Sequence, residues 1–294
     1  MYKINKIVGV SFEVPKRFYT KFRLSLKRGL CYSIKNQFFK VILNRKSKKK
    51  RIRKLMITTF RIFNKFFKVN YLDFILKILD DDVIYHSQLG QDLFVLETLK
   101  QKKNGFFIEI GAGNGKYLSN TYLLEREYGW DGILVEPNKS SFKACTNLRH
   151  CKVINKLILN SEMATVLFHE KRIGEFSFSE GYGNNNSNDV IDSYEIEAIK
   201  FEGIFRDFSS IPDIDFLSID TEGSEVEILS SIDFSKYRPN IICIEHNYVK
   251  SNRVYIKNFL KSKGYIMVYS GISLWDSWFV REPNGRLKRK FCLY

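Results

Sequence analysis

The sequence predicts an α/β protein, a three-layer sandwich in which a mostly parallel β-sheet lies between helices. Short apolar, β-branched runs alternate with amphipathic helix patterns from about residue 87 to residue 280. Several of these runs are apolar without polar alternation, as expected for strands covered on both faces. One run, Phe106–Ile110, ends abruptly in glycines at 111, 113 and 115. Such glycines permit a positive φ and let a ligand approach the backbone closely.

The basic residues divide the chain into two parts. Residues 1–80 hold 22 lysines and arginines against three acids, a charge of +19, whereas residues 81–294 carry −3. We therefore predict a basic extension over 1–80 and a folded domain over 81–294. In the extension the apolar residues recur at helical spacing from Leu55 to Leu79. This pattern suits either a helix lying on an anionic membrane or a solvated basic arm. Nucleic acid is an unlikely partner, because no recognised nucleic-acid motif accompanies the bases.

Cysteine usage and hydropathy give an expected location. The five cysteines form no C-x-x-C pair and indicate neither a disulfide framework nor a zinc site. No apolar run reaches the roughly 18 residues needed to span a membrane. Charged residues at 3, 6 and 13 interrupt the place of a signal-peptide core. We expect a cytoplasmic protein, held peripherally at the inner membrane surface if the extension binds lipid.

The first half of the domain predicts three helices and three strands around the glycine turn. A helix follows Ser87, its expected N-cap, and further helices are predicted at 118–128 and 138–148. Strands are predicted at 106–110, at 132–136 and, more weakly, at 151–155. Residues 157–171 predict a hairpin. Residues 173–189, rich in glycine, serine and asparagine, predict a long loop that is either a substrate lid or a mobile linker.

The second half continues the alternation, after a stretch at 190–210 that carries no motif with a clear function. Its predicted strands are 214–220, 239–245, 264–269 and 274–280, and its predicted helices are 225–231 and 251–263. The final strand is expected to be antiparallel.

The glycine turn favours a nucleoside ligand. The dinucleotide pattern G-x-G-x-x-G would need a glycine at position 116, where this chain has a lysine, so NAD is disfavoured. Glu136 ends the next strand, where a carboxylate can accept hydrogen bonds from both hydroxyls of a ribose. A ligand such as S-adenosylmethionine (SAM) fits this pair. Lys156 and Leu157 are the residues expected to flank its adenine.

Acidic residues follow the next two predicted strands. The predicted strand 214–220 ends in Asp220 and is followed by Glu222 and Glu225. The predicted strand 239–245 ends in Glu245 and is followed by His246 and Asn247. The carboxyl ends of parallel strands meet at one edge of a sheet, which faces the ligand. Asp220 and Glu222 could instead cap the helix at 225. Oxygens of Asp220, Glu245 and Asn247 would also suit Mg²⁺, although hydrogen bonding explains the same residues.

Taken together, the motifs resemble those of the FkbM family of SAM-dependent methyltransferases. The similarity covers about Ser87 to Val280, and its motifs are Ser87-Gln-x-x-Gln-Asp92, Phe107-Ile-Glu-Ile-Gly-Ala-x-x-Gly115, Leu118-Ser-Asn-Thr-Tyr122, Gly132-Ile-Leu-Val-Glu-Pro137, Ile219-Asp-Thr-Glu-Gly-Ser-Glu225, Ile244-Glu-His-Asn-Tyr248 and Trp275-Asp-Ser-Trp278. The resemblance implies the class I methyltransferase (Rossmann-like) fold, a seven-stranded sheet with a reversed last strand. It also implies O-methylation of a hydroxyl on a sugar, glycan or natural product, as in polysaccharide biosynthesis.

The predicted site combines cofactor-binding residues with catalytic residues. The expected cofactor-binding residues are Glu109, Gly111, Ala112, Gly113, Asn114, Gly115, Glu136 and Asn155. The expected catalytic residues are Asp220, Glu222, Glu245 and His246. In this hypothesis His246 is the general base and an acid at Asp220 or Glu222 orients the acceptor, because an alcohol is a poor nucleophile until its proton leaves. The alternative is a non-catalytic protein that binds SAM or a nucleotide and is tethered to a membrane or partner by its basic arm.

Overall fold

The computed structural model describes residues 2–3, 13–14, 74, 77–78, 83–160, 165–171, 177–179, 190–270 and 273–282. The chain divides into two compact units, Met1–Asp80 and Asp81–Tyr294. In the first unit Tyr2–Lys3 pairs antiparallel with Glu13–Val14, and Phe74, Lys77 and Ile78 are helical. The helix predicted from Leu55 to Leu79 lies otherwise outside the described residues. Within the ranges described, no helix is both long and apolar enough to cross a membrane.

The second unit alternates strands and helices. Its helices are α1 (Gln91–Thr98), α2 (Tyr122–Tyr128), α3 (Lys139–Leu148), α4 (Glu225–Ser231) and α5 (Lys250–Ser262), with a 3-10 helix at Phe201–Phe205. Its strands are β1 (Phe106–Ile110), β2 (Asp131–Val135), β3 (Lys152–Ile154), β4 (Leu157–Ile158), β5 (Thr165–Lys171), β6 (Phe178–Ser179), β7 (Val190–Ile199), β8 (Phe216–Ile219), β9 (Ile241–Glu245), β10 (Tyr265–Val268) and β11 (Asp276–Arg281).

Seven strands form the main sheet, in the order β10-β11-β9-β8-β1-β2-β3. Five neighbours, from β9 through β8, β1 and β2 to β3, run parallel. The last strand, β11, is antiparallel to both β9 and β10. This is the class I methyltransferase topology, and the predicted fold class is therefore confirmed.

Helices cover both faces of this sheet. Trp278 and Phe279 are consecutive on β11, so their side chains point to opposite faces. Trp278 stacks on Phe94 of α1, with ring centroids 4.9 Å apart. Phe279 belongs instead to the apolar core that contains Ile256 and Leu260 of α5. Each such buried side chain contributes about 1.5–3 kcal/mol of transfer free energy. Burial on both faces explains why the strands lack polar alternation.

A second sheet follows β3 and corrects the predicted hairpin at 157–171. Its strand order is β4-β7-β5-β6. Strand β7 pairs parallel with β4 and antiparallel with β5, so β4 and β5 do not pair with each other. The long strand β7 comes from residues 190–210, where the sequence showed no clear motif, and it takes the place between the two strands. Most of the predicted loop 173–189 lies outside the described part of the chain.

Ser87 does not cap α1, contrary to the prediction. The N-cap is Gly90, in a left-handed conformation with φ +87°. The Ser87 hydroxyl instead donates a 2.5 Å hydrogen bond to Oδ1 of Asp92, within a buried turn that precedes the helix.

Candidate functional site

The main sheet has a cavity of about 390 Å³ at the carboxyl ends of its parallel strands. Five acids line this cavity. Glu109, Glu136, Asp220 and Glu245 come from the ends of four neighbouring strands, and Glu222 follows shortly after Asp220. Parallel strands deliver their carboxyl ends to one edge, which is why residues up to 136 positions apart in sequence meet here. The cavity is therefore lined by acidic side chains.

The glycine turn after β1 forms one wall. Gly111 has φ +83°, and a Cβ there would lie 1.7 Å from the carbonyl oxygen of Asp220, so β1 and β8 can approach only with glycine at this position. Gly113 has φ +54°, and a Cβ there would meet no atom within 4 Å. Both glycines and Ala112 line the cavity, so the backbone is open to a ligand at Gly113.

Asn114 and Gly115 shape this turn but do not line the cavity, which corrects their predicted contact with a cofactor. The Asn114 side-chain oxygen accepts hydrogen bonds from the backbone N–H groups of Lys116 and Tyr117, at 3.0 and 2.8 Å. A Cβ on Gly115 would lie 2.9 Å from Sγ of Cys145. Both residues are thus explained by local structure.

Glu136 is buried at the end of β2 and faces the glycine turn. Its carboxylate accepts hydrogen bonds from the N–H groups of Gly113, at 2.7 Å, and Asn138, at 2.8 Å. Burial raises the pKa of Glu136 to about 8, although both N–H groups favour the ionised form. The side chain is thus held in place at the position predicted for a ribose contact.

Asn155 does not reach the cavity, so its predicted cofactor contact is corrected as well. Its side-chain NH₂ donates to the carbonyl oxygens of Glu136 and Pro137, at 2.8 and 3.0 Å. Asn155 therefore holds the end of β2 from the neighbouring strand. The next two residues, Lys156 and Leu157, do line the cavity.

Glu109 is bonded to the segment before α2. One oxygen accepts from the Asn120 N–H at 2.7 Å, and the other accepts from the hydroxyls of Ser119 and Thr121. Burial raises the pKa of Glu109, and the nearby charge of Arg149 opposes that rise. These bonds hold the segment before α2 against β1. Glu109 also lines the cavity.

Arg149 is a supporting residue that the sequence did not reveal. Its buried guanidinium pairs with Glu125 and donates to the carbonyl oxygen of Gly115, at 2.9 Å, and to the Thr121 hydroxyl, at 3.0 Å. It therefore ties α2 to the glycine turn. A single arginine after a helix carries no motif, and only the folded chain shows this role.

Three carboxylates gather at the other end of the cavity. Single oxygens of Asp220, Glu222 and Glu245 lie within 4.8 Å of one another. Burial raises the pKa of Asp220 to about 7. Burial, together with the neighbouring Asp220 charge, raises the pKa of Glu245 far above its usual value. A hydrogen bond joins the two carboxyls, so a proton on one of them is shared with the other.

The family follows from the sequence match. The protein-family model described as "Methyltransferase FkbM domain" matches residues 109–267, more than half of the chain. The chain belongs to the FkbM methyltransferase family. With the sheet order above, it is a methyltransferase of the SAM-dependent class I fold.

Solved structures give distant matches, and a search of curated proteins found none. A methyltransferase from Pyrococcus furiosus is 12% identical, with a TM-score of 0.36, over 80% of this chain and 98% of that one. The N-terminal domain of human METTL16, solved in complex with SAH, is 15% identical, with a TM-score of 0.36, over 67% and 71%. The precorrin-6y C5,15-methyltransferase of Geobacter metallireducens is 12% identical, with a TM-score of 0.31, over 64% and 85%.

His246 of this FkbM methyltransferase is not placed as predicted. Its side chain is buried and does not line the cavity. Nδ1 accepts a hydrogen bond from the Tyr248 N–H at 3.1 Å, and burial lowers the pKa of the imidazole. Along an extended chain successive side chains point to opposite sides, so Glu245 faces the cavity and His246 turns away. The position does not support a general-base role for His246.

Two of the quoted motifs meet beside the cavity, although they are 185 or more residues apart. Gln91 Nε2 donates to Asp276 Oδ2 at 3.0 Å, and the Trp275 indole N–H donates to Gln88 Oε1 at 3.0 Å. Gln88, Gln91 and Trp275 line the cavity. Gln88 and Gln91 thus close the cavity beside the start of β11, a role that no pattern in the sequence indicated.

The acidic end opens between aromatic side chains. Tyr248 and Trp275 line the cavity there, with ring centroids 6.0 Å apart, and Tyr248 is exposed. Four lining residues have the left-handed backbone conformation that is uncommon outside glycine: φ is +59° at Leu118, +57° at Glu222, +47° at Asn247 and +59° at Tyr248. Such strain concentrates at functional sites because the surrounding structure must enforce it. The Asn247 side chain donates to Glu245 at 2.9 Å.

Proposed function

We propose that this FkbM methyltransferase methylates a hydroxyl group of a sugar, a glycan or another natural product. The observation that carries the proposal is that one cavity joins an end suited to a nucleoside, at Gly113 and Glu136, to an end suited to removing a proton, at Asp220 and Glu245. The first end would hold the methyl donor and the second would receive the acceptor. Tyr248 and Trp275 at the second end suit contact with the apolar faces of a sugar ring or another natural product.

The residues at the first end fit SAM. The space beside Gly113 admits a ligand against the backbone, and Glu136 can accept hydrogen bonds from ribose hydroxyls. Leu157 and Ile158 supply apolar surface for a base. When bound, SAM would supply a methyl group on a positively charged sulfur; as the methyl group passes to the acceptor oxygen, the C–S bond breaks and a neutral thioether leaves. The acids lining the cavity favour binding of that positive charge.

Asp220 is the residue we propose as general base, in place of His246. It lines the cavity, and its pKa of about 7 lets it accept a proton near neutral pH. The hydrogen bond between Glu245 and Asp220 keeps the Asp220 carboxylate oriented. Aligning donor and acceptor then supplies most of the remaining rate enhancement.

The same carboxylates favour a second role for this end of the cavity, a Mg²⁺ site formed by Asp220, Glu222 and Glu245. Carboxylate oxygens are the ligands that Mg²⁺ prefers. A bound Mg²⁺ would supply a positive charge that lowers the pKa of the acceptor hydroxyl. Treatment with a strong chelator separates the two roles. Unchanged turnover supports Asp220 as a base without metal, whereas loss that Mg²⁺ alone restores supports the metal site.

The experiment that tests the function is an acceptor screen with methyl-labelled SAM, run with an Asp220→Asn variant. We expect methyl transfer to a hydroxylated glycan or natural product by the wild-type enzyme. Asp220→Asn should keep its SAM affinity but lose turnover by roughly 10²–10⁴-fold, the usual contribution of a general base. Full turnover in the variant would remove Asp220 from the mechanism. SAM binding without transfer to any hydroxylated acceptor would favour the non-catalytic alternative.

We also propose a cytoplasmic enzyme of glycan or polysaccharide biosynthesis, with its +19 extension on an anionic membrane surface. The charge of the extension is what supports this placement. Vesicle sedimentation tests it. Pelleting with anionic vesicles but not with neutral ones supports the proposal, and equal pelleting with both overturns it.

A further inference from the structure

The outer face of α5 is strongly basic. Residues 246–275 contain five bases and no acid, and all five bases lie in or directly after α5. They are Lys250, Arg253, Lys257, Lys261 and Lys263. Because residues 81–294 carry a net charge of −3, the positive charge of this helix is a local feature of the domain.

Apolar side chains are exposed on the same helix. Val254 is 50% exposed and Tyr255 is 41% exposed. Together with Phe259 they form the apolar part of a shallow surface groove along α5. The rings of Tyr255 and Phe259 stack with centroids 5.7 Å apart, which leaves the pair little freedom to fold away from solvent.

The helical spacing places lysines beside this apolar surface. Lys250, Lys257 and Lys261 lie four residues before, three residues after and seven residues after Val254, so all three share its side of the helix. Ile256 and Leu260 face the opposite way, into the core. Among the described residues, no ion pair involves these three lysines.

We propose that this face of α5 docks on an anionic lipid surface. Exposed apolar side chains rimmed by lysines match the boundary between acyl chains and negatively charged head groups. A second copy of the chain is a poorer partner, because a symmetric contact would bring the same lysines against each other. The surface belongs to the second unit, Asp81–Tyr294.

This surface adjoins the cavity. Tyr248 lines the cavity and lies two residues before α5 begins. Docking through α5 therefore holds the aromatic edge of the cavity near the membrane, where an acceptor carried by a lipid would be available. That consequence rests on the proposed function, whereas the docking itself does not.

A local fluorescence readout tests the docking in the full chain, because it separates docking through α5 from any lipid binding by the extension. A Tyr255→Trp variant is mixed with vesicles of phosphatidylcholine with or without phosphatidylglycerol, carrying brominated acyl chains that quench nearby indoles. The wild-type protein measures the background quenching of its own indoles, which belong to Trp130, Trp275 and Trp278. Ile191→Trp, 57% exposed on β7, is the matched control for an exposed indole elsewhere in the same unit.

The expected result is additional quenching of Tyr255→Trp by the anionic vesicles alone, with none for Ile191→Trp. Adding Lys250→Gln, Lys257→Gln and Lys261→Gln should abolish it, because each base near a charged surface changes binding about fivefold and three change it on the order of 100-fold. Pelleting without quenching of Tyr255→Trp, equal quenching of both indoles, or no pelleting would overturn the proposal. The proposal would also be overturned if single-stranded RNA changed the fluorescence emission of Tyr255→Trp and vesicles did not.

Discussion

Arg149→Met should destabilise the fold by several kcal/mol through the ion pair with Glu125. The side chains of Arg149 and Glu125 are 0% and 5% exposed. Burial alone raises the pKa of Glu125, but the charge of Arg149 and the hydrogen bonds to the carboxylate outweigh it, so that pKa is below its usual value. Removing the arginine leaves a buried carboxylate without its counter-ion. Breaking a buried pair in this way costs about 3–5 kcal/mol.

The pH dependence distinguishes this cause from a general packing defect. In the wild type the depressed pKa of Glu125 contributes stability above its unfolded pKa, and that contribution is lost as the pH falls. In Arg149→Met the pKa of Glu125 rises above the unfolded value of about 4.3, so ionisation destabilises the variant at neutral pH. The difference between variant and wild type should therefore be largest near pH 7 and shrink as the pH falls towards 4.

Urea denaturation of both proteins across this pH range measures the effect. The double variant Arg149→Met with Glu125→Gln is the matched control, because it removes the buried charge and should recover much of the lost stability. A loss below about 1 kcal/mol at pH 7, the value typical of an exposed pair, would refute the reasoning. So would a loss that does not change with pH.

The remaining predictions concern the cavity. Gly111→Ala should not give a stable fold, because its Cβ would collide with Asp220, whereas Gly113→Ala should fold with a cost of about 1–2 kcal/mol for its positive φ. Gly113→Ala should nevertheless weaken SAM binding by about tenfold or more, because its methyl group occupies space that a ligand needs; denaturation and calorimetry measure the two effects. Turnover should rise about tenfold per pH unit below the Asp220 pKa of about 7 and level off above it. A pH–rate profile without that inflection would argue against Asp220 as the base.

The fold and the acids of the site could be predicted because both depend on simple patterns. Apolar runs without alternation mark buried parallel strands, and the ends of such strands meet at one edge. That rule predicted that Asp220 and Glu245 would meet at one edge, and both line one cavity together with Glu136. The glycine turn could be predicted as well, because few residues other than glycine tolerate a positive φ or a close backbone contact.

Other parts of the site depend on facts that no local pattern carries. Glu245 and His246 are adjacent, and which of them faces the cavity is set by the pairing of β9 with β8 and β11. The support from Asn155 and Arg149 comes from side-chain bonds within the folded chain. The pairing of β4 with β7 joins segments about 40 residues apart, so a nearby hairpin was the wrong expectation.

Calorimetric titration of the full chain with SAM, alongside a Glu136→Gln variant, tests the central claim most directly. At a pH above the Glu136 pKa of about 8, where its carboxylate is ionised, we expect saturable binding by the wild type that is weakened about 10–100-fold in the variant, since a hydrogen bond to a charged group contributes about 1.5–3 kcal/mol. A parallel titration with NAD should show no comparable binding. Equal SAM affinity in both proteins would contradict the role of Glu136. No SAM binding in either would contradict the assignment of the cavity to a methyl donor.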